Sequence, residues 1–295
     1  MNRVTISQSS CKMETTSTWL VSLIQFAKDI DFFKPFQGFK LDMIKKHYSV
    51  YQKLATIMAS VIMGCESTKD INPVLGSESL AANMLDMEQF PDQSQINRLL
   101  NRMDATSIDQ FRDIHDQLFL EHSLTQSDDS DIIVDIDQSG LIASAKTYEL
   151  VEKGYFPHKR GKTGYQVSAA FIGEHSEVLD FYLDPGNVHC QDRLDSLVSS
   201  IFTKLPEQLR NGKVILRADS GYGASKNIEK LMSVKGLRFI VKGYSSRKAA
   251  SIAKDIAFDC YDQADDSAWV YELPSEGNEL RTILVQILGS RGELT

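Results

Sequence analysis

The sequence has 295 residues, of which 42% are hydrophobic and 24% charged, a composition typical of a globular protein with one large or two modest cores. Glycine and proline contribute 17 and 7 residues, far below the content of collagen-like or low-complexity chains. The formal net charge of −8, from 32 basic and 40 acidic residues, excludes a protein whose whole surface coats nucleic acid. Any contact with DNA must therefore be local.

Nothing in the sequence indicates a membrane segment. The longest nearly apolar run, residues 54–65, has only twelve residues, too few to cross a bilayer. The N-terminus lacks the basic, apolar and small-residue regions of a signal peptide, so we expect a cytoplasmic protein. Four cysteines are widely separated, which argues against a zinc site or a disulfide framework and predicts buried thiols. They are Cys11, Cys65, Cys190 and Cys260.

The N-terminal part of the sequence has the periodicity of helices. Apolar residues recur at helical spacing from Trp19 to His122, which predicts an all-helical domain over residues 1–122. After Pro91, one face of a predicted helix carries Ile96, Leu99, Leu100 and Met103, and the other carries Asn97, Arg98, Asn101 and Arg102. The polar, acidic residues 123–131 are predicted to be a linker between domains.

Beyond the linker, strands and helices alternate. We predict strands over residues 132–137, 165–173, 177–184, 214–218 and 237–241, with helices over 192–203 and 225–234. This order, β-β-β-α-β-α-β, begins antiparallel and continues with parallel crossovers. It predicts a mixed α+β or α/β domain over residues 132–295, with further strands between residues 269 and 288.

Acidic residues lie in two of the predicted strands. Asp135 and Asp137 are two residues apart and therefore share one face of the first strand, and Asp219 follows the apolar strand 214–218. Ligands bind at such carboxyl ends in open α/β sheets, and an oxygen-rich site suits Mg²⁺ or Mn²⁺. The alternative is that these acids only solvate exposed strand ends.

A basic segment lies between the first two predicted strands. Residues 153–165 mix cations with aromatic residues and glycines, and they include Lys159, Arg160 and Lys162. This mixture suits a polyanion such as DNA. A solvated basic loop is the alternative, since a short cluster of cations is common on protein surfaces.

Six motifs together resemble one family, the bacterial insertion-sequence transposases with a group 1 DDE domain of RNase H-like fold. They lie at residues 48–50 with 63–66, 91–100, 135–137, 162–165, 185–189 and 216–222. The resemblance implies metal-dependent cleavage and strand transfer of DNA phosphodiesters at the ends of a mobile element. It further implies Mg²⁺ or Mn²⁺ as cofactor, double-stranded DNA with terminal inverted repeats as partner, and a homo-oligomer on that DNA.

The resemblance also assigns roles to particular residues. Asp137 corresponds best to the family's first metal-binding aspartate, with Asp135 as the fallback, and Asp219 corresponds to the second. The helical N-terminal domain is expected to recognise the element ends, with Arg98 and Arg102 as phosphate or base contacts. The basic segment residues Lys159, Arg160 and Lys162 are expected to hold the DNA strand. Asn187 and His189 are candidates to orient DNA or metal ligands, and the alternative for His189 is a helix cap.

The family's third acid is a glutamate on a helix after a β-rich insertion. Four glutamates near the end of the sequence lack that helical context: Glu272, Glu276, Glu279 and Glu293. The resemblance therefore implies an RNase H-like domain incomplete at its C-terminus, cut short before the third acid, with impaired catalysis.

Two alternatives belong to other classes. Residues 133–139 also fit the D-x-D-x-[ST] signature of haloacid-dehalogenase-like phosphohydrolases, in which Asp135 would be the nucleophile. The basic segment and the predicted hairpin that follow it disagree with that fold. A non-catalytic DNA-binding fragment is the second alternative.

Overall fold

The computed structural model describes residues 15–43, 47–143, 148–156, 159, 161–274 and 280–287. The chain divides into two compact units, Met1–His122 and Ser123–Thr295. None of the helices in these described ranges is long and apolar enough to span a membrane.

The described part of the first unit is helical, as predicted. Its α-helices are α1 (Thr18–Asp29), α2 (Lys34–Gln37), α3 (Val50–Ile62), α4 (Ile71–Leu75), α5 (Ser79–Met84), α6 (Gln93–Leu100) and α7 (Ala105–His122). Leu20, Ile24, Leu85 and Ile96 are among the buried residues of one apolar cluster. The start of α3 is capped by side chains, since Ser49 and Gln52 form a capping box there.

Helix α6 is shorter than the predicted amphipathic segment. The Asp92 carboxylate accepts a hydrogen bond from the Gln95 N–H at 2.9 Å and caps the helix. Ile96 and Leu99 are fully buried, as predicted, but Leu100 is 42% exposed. The helix ends at Leu100, so Met103 lies beyond it.

The described part of the second unit contains two sheets. Its strands are β1 (Ile132–Ile142), β2 (Glu152–Lys153), β3 (Thr163–Ile172), β4 (Glu177–Pro185), β5 (Val214–Ala218), β6 (Leu237–Val241), β7 (Asp262–Asp265), β8 (Ala268–Glu272) and β9 (Ile283–Ile287). Its α-helices are α8 (Leu194–Lys204), α9 (Glu207–Arg210), α10 (Ser225–Ser233) and α11 (Ser246–Ala253). The larger sheet has the order β2-β3-β1-β5-β6, with β4 also paired to β3, and the smaller has the order β7-β8-β9.

The larger sheet is mixed, which confirms the predicted fold class. Strand β1 pairs antiparallel with β3 and parallel with β5, and β5 pairs parallel with β6. Strands β5 and β6 have the predicted bounds, whereas β1 continues to Ile142 along β3 instead of ending at Asp137. The short β2 and α9 were not predicted.

The segment predicted as a linker is tied to the hairpin of β3 and β4. The Glu177 carboxylate accepts hydrogen bonds from the Ser123 hydroxyl at 2.6 Å, the Leu124 N–H at 2.7 Å and the Thr125 hydroxyl at 2.7 Å. Burial alone would raise the pKa of Glu177, but these hydrogen bonds outweigh it and lower the pKa. The segment therefore begins the second unit with fixed contacts.

Helix α8 packs against β4 through a buried polar layer. Asp180, only 4% exposed, accepts hydrogen bonds from the Ser200 hydroxyl at 2.5 Å and the Tyr182 hydroxyl at 3.0 Å. The ammonium of Lys204 lies 3.5 Å from the same carboxylate. Burial opposes the charge of Asp180, but the hydrogen bonds and Lys204 lower its pKa.

The cysteines differ in exposure. Cys190 is buried, as predicted, but Cys65 is half-buried and Cys260 is exposed. The prediction of buried thiols is therefore wrong for Cys260, because the segment around it carries exposed residues on both sides. Cys11 lies outside the described residues.

Candidate metal centre and nucleic-acid contacts

The carboxylates of Asp137 and Asp219 belong to neighbouring parallel strands. The last paired Cα positions of β1 and β5 are Ile136 and Ala218, and each aspartate is the next residue. The backbone of Asp219 is still extended, with φ −78° and ψ −175°. Since side chains alternate along extended backbone, both aspartates lie opposite the buried side chains of Ile136 and Ala218, on one exposed face.

One oxygen of each of these carboxylates is held by the backbone. The Gln138 N–H donates to Asp137 Oδ1 at 2.8 Å, and the Gly221 N–H donates to Asp219 Oδ1 at 2.9 Å. Over the described residues, neither aspartate makes an ion pair or a further hydrogen bond. The Oδ2 atoms are therefore available to a cation from solution.

Asp135 has a different environment, although it shares the face. The Arg217 guanidinium donates to both Asp135 oxygens, at 2.6 and 2.8 Å. The hydrogen bonds and the charge of Asp135 raise the pKa of Arg217. The bidentate ion pair occupies the carboxylate, which leaves Asp135 a poor candidate for either a metal ligand or a nucleophile.

Cys190 and Tyr222 are buried side chains that feel the charges of the two aspartates. Burial, with the charges of Asp219 and Asp137, raises the pKa of the Cys190 thiol. His189 precedes the 3₁₀ turn Cys190–Arg193, where its N–H donates to Asp192 Oδ2 at 3.1 Å. This contact is that of a helix cap, which is the simpler of the two interpretations of His189.

The donor set fits a hard divalent cation. Two exposed carboxylates that form no ion pair within the described residues are oxygen donors of the kind that Mg²⁺ and Mn²⁺ prefer. No group of three His, Cys, Asp or Glu side chains arranged to hold a metal occurs among the described residues. The described residues thus offer two candidate ligands, Asp137 and Asp219.

The described glutamate among the third-acid candidates is engaged elsewhere. Glu272 lies in β8 and accepts hydrogen bonds from Arg281 at 2.7 and 2.6 Å. Glu276, Glu279 and Glu293 lie outside the described residues.

The basic segment lies toward the same end of the larger sheet as the aspartates. Lys159 and Lys162 are exposed, and Lys162 immediately precedes β3, whose Gly164 pairs with Ile142 of β1. That pair is five residues beyond Asp137, or about 17 Å at the usual rise of a strand. The segment is therefore not in direct contact with the acids along the sheet. Arg160 lies outside the described residues.

Two glycines let this segment approach the end of β4. A Cβ atom added at Gly154 would lie 1.6 Å from the carbonyl oxygen of Gly186, and one added at Gly186 would lie 2.4 Å from the carbonyl oxygen of Glu152. Real Cβ contacts are never this short, so both positions require glycine at the observed backbone separation.

The candidate DNA contacts of the first unit lie at the end of α6. Arg98 is in the last turn of α6 and Arg102 follows the helix, and both are exposed. Lys53 of α3, only 5% exposed, was missed by the sequence analysis. Burial and the charge of Arg98 lower the pKa of Lys53, so the two cations are neighbours. Only an isolated lysine in an apolar helix was visible in the sequence.

Comparison with known proteins identifies the class of this protein. The model of the transposase DDE domain, group 1, matches residues 23–275. The chain therefore belongs to this family, as its motifs predicted. A comparison with curated proteins gave no match.

Several solved transposase structures are similar to the chain at low identity. For the piggyBac transposase synaptic complex with hairpin DNA, identity is 10% and the TM-score 0.46, over 95% of this chain and 57% of that one. For the Drosophila P element transposase strand transfer complex, identity is 12% and the TM-score 0.34, over 82% of this chain and 51% of that one. For the Mos1 mariner paired end complex with Mn, identity is 14% and the TM-score 0.27, over 84% of this chain and 86% of that one. The chain thus spans little more than half of the piggyBac and P element proteins.

Proposed function

We propose that this protein is a DNA transposase in which Asp137 and Asp219 bind Mg²⁺ or Mn²⁺. The observation that carries the proposal is the pair of adjacent, exposed carboxylates, each with one oxygen held by the backbone and one directed to no protein partner. Membership of the DDE transposase family supports the same reaction class. Divalent cations, when bound, supply activation of the attacking hydroxyl and stabilisation of the leaving oxygen at phosphorus.

The residues of this chain orient the reaction. The backbone N–H groups of Gln138 and Gly221 fix the direction of each carboxylate, and the two strands fix their separation. The exposed ammonium groups of Lys159 and Lys162, with Arg160, hold the phosphodiester backbone of the DNA near this edge. Water or a 3′ hydroxyl then attacks phosphorus, which requires no nucleophilic side chain.

The same geometry speaks against the phosphohydrolase alternative. Asp135 would have to attack phosphorus, but the Arg217 guanidinium donates to both of its oxygens. Strand β1 also has an antiparallel neighbour, β3, whereas that alternative requires repeated strand-helix units after the first motif.

One experiment separates the two reactions. We expect Asp135→Asn to retain Mn²⁺ binding and metal-dependent nicking of a supercoiled plasmid, measured on agarose gels, because the Asp135 carboxylate is already bound by Arg217. We expect no hydrolysis of p-nitrophenyl phosphate by the unmodified protein. Hydrolysis of that monoester, lost in Asp135→Asn, would support the phosphohydrolase instead.

We further propose that Arg98 and Arg102 contact DNA phosphates, with double-stranded element ends as the partner and a homo-oligomer as the assembly. Arg98→Ala and Arg102→Ala should each weaken binding to duplex DNA across sequences and reduce the slope of log K against log salt by about 1. Fluorescence anisotropy over a salt series measures both quantities.

Lys34→Ala provides a control for this prediction, because Lys34 is exposed but already lies 4.0 Å from Asp31. An equal loss in all three variants would indicate a diffuse charge effect and would contradict a contact at α6. Binding without cleavage, with or without Mg²⁺, would favour the non-catalytic DNA-binding alternative.

A further inference from the structure

Tyr222 is a fully buried side chain in the turn that carries Asp219. The turn Ser220–Tyr222 directly follows Asp219, and the exposed fraction of Tyr222 is 0%. The carbonyl of Tyr222 accepts a hydrogen bond from the Asn227 side chain at 3.1 Å, and Asn227 is itself 4% exposed. The backbone of Tyr222 is therefore held by the first turn of α10.

The hydroxyl of Tyr222 has no hydrogen-bond partner among the described residues. Burying a polar group without a partner is unfavourable, and native proteins do so rarely. Phenylalanine would fill the same space without this cost. A tyrosine at this position therefore requires an explanation other than packing.

The surroundings of Tyr222 indicate where its hydroxyl acts. Burial, together with the charges of Cys190, Asp137 and Asp219, raises the pKa of Tyr222. The hydroxyl thus keeps its proton and is a hydrogen-bond donor throughout the ordinary pH range. The nearby groups that accept such a bond best are the two carboxylates, since an ionised acceptor forms the stronger hydrogen bond.

We propose that Tyr222 is a positioning residue of the cation site, whose hydroxyl donates a hydrogen bond to the Asp137–Asp219 pair when a divalent cation is bound. The inference rests on the proposed function, because it assumes that these aspartates are the ligands. A bound cation would restrict the motion of both carboxylates, and the Tyr222 hydroxyl, which is buried in the turn directly after Asp219 and has no partner among the described residues, is the donor we assign to them. Outer donors of this kind orient ligands and typically change metal affinity 10- to 100-fold.

The proposal predicts opposite effects of Tyr222→Phe on stability and on metal binding. In the metal-free protein, the melting temperature should stay the same or rise, because an unsatisfied hydroxyl is removed. The affinity for Mn²⁺, measured by calorimetric titration and by electron paramagnetic resonance of free Mn²⁺, should fall by about tenfold or more. The increase in melting temperature on addition of Mn²⁺ should become smaller as the affinity falls.

Tyr182→Phe is the matched control. It removes the same atom from a tyrosine whose hydroxyl already donates to Asp180 at 3.0 Å, within the layer between β4 and α8. This variant should have a lower melting temperature and unchanged Mn²⁺ affinity, the reverse of the result expected for Tyr222→Phe.

Two results would overturn the proposal while leaving the proposed function intact. One is an unchanged Mn²⁺ affinity in Tyr222→Phe when the unmodified protein binds Mn²⁺. The other is a lower melting temperature of metal-free Tyr222→Phe, which would mean that the hydroxyl already has a partner. Absence of Mn²⁺ binding by the unmodified protein is a distinct outcome, which removes the proposed function and this inference together.

Discussion

Asp219→Asn and Asp137→Asn should each weaken Mn²⁺ binding by more than about 100-fold, because loss of a direct ligand exceeds the 10- to 100-fold effect typical of outer partners. Metal-dependent DNA cleavage should fall by about 10³-fold, the equivalent of the several kcal/mol that a bound cation contributes to phosphoryl transfer. Calorimetric titration with Mn²⁺ and plasmid nicking under single-turnover conditions measure the two effects.

Asp195→Asn is the control for these variants. It makes the same change of charge at Asp195, an exposed residue at the start of α8. The Asp195 carboxylate lies 2.6 Å from the Lys230 ammonium. Mn²⁺ binding should be unaffected there. If Asp137→Asn and Asp219→Asn bound Mn²⁺ as tightly as Asp195→Asn, the two carboxylates would not be the ligands and the transposase proposal would lose its central observation.

Asp180→Ala should destabilise the protein by about 3 to 5 kcal/mol, the usual cost of removing one member of a buried ion pair. The substitution takes away the carboxylate that accepts from Ser200 and Tyr182 and that lies beside Lys204. Urea denaturation monitored by circular dichroism gives the free energy of unfolding. Asp180→Asn retains the shape of the side chain and one acceptor oxygen, so its free energy of unfolding should fall less than that of Asp180→Ala.

The same residue predicts a dependence of stability on pH. The pKa of Asp180 is lower in the folded protein than its ordinary value, so the unfolded chain binds the proton more readily. The contribution of the Asp180 carboxylate to stability is therefore fully present above the ordinary aspartate pKa of about 3.9. It is lost as the pH falls through the lower pKa that Asp180 has in the folded protein. The difference in unfolding free energy between the unmodified protein and Asp180→Asn should shrink below about pH 4. A difference that stayed constant from pH 7 to pH 3 would contradict this assignment.

The sequence was most informative where a segment has one strong pattern. Strands β5 and β6 were predicted with their observed bounds because each is a short apolar run between turn residues. The extension of β1 beyond Asp137 was missed, since Gln138, Ser139 and Gly140 are typical of a turn. Their pairing with β3 is a long-range interaction that no local pattern contains.

The candidate ligands of the site could be named from the sequence, but their hydrogen-bond partners could not. Sequence spacing placed Asp135 and Asp137 on one face, but only the structure pairs Asp135 with Arg217. Lys53 and Tyr222 were missed because burial of a cation or an unpartnered hydroxyl depends on neighbours distant in sequence. The DSGY motif at residues 219–222 was recognised, yet nothing in it distinguishes a packing tyrosine from a donor.

The placement of Asp137 and Asp219 beside paired positions of the larger sheet has a consequence for how the proposed site is assembled. Asp137 lies within β1, and Asp219 directly follows β5 on extended backbone. The backbone positions of both aspartates are consequently established when β1 and β5 pair, before any cation arrives. In the proposed site, the backbone entropy of these two residues is therefore lost in folding rather than on cation binding, which is preorganisation.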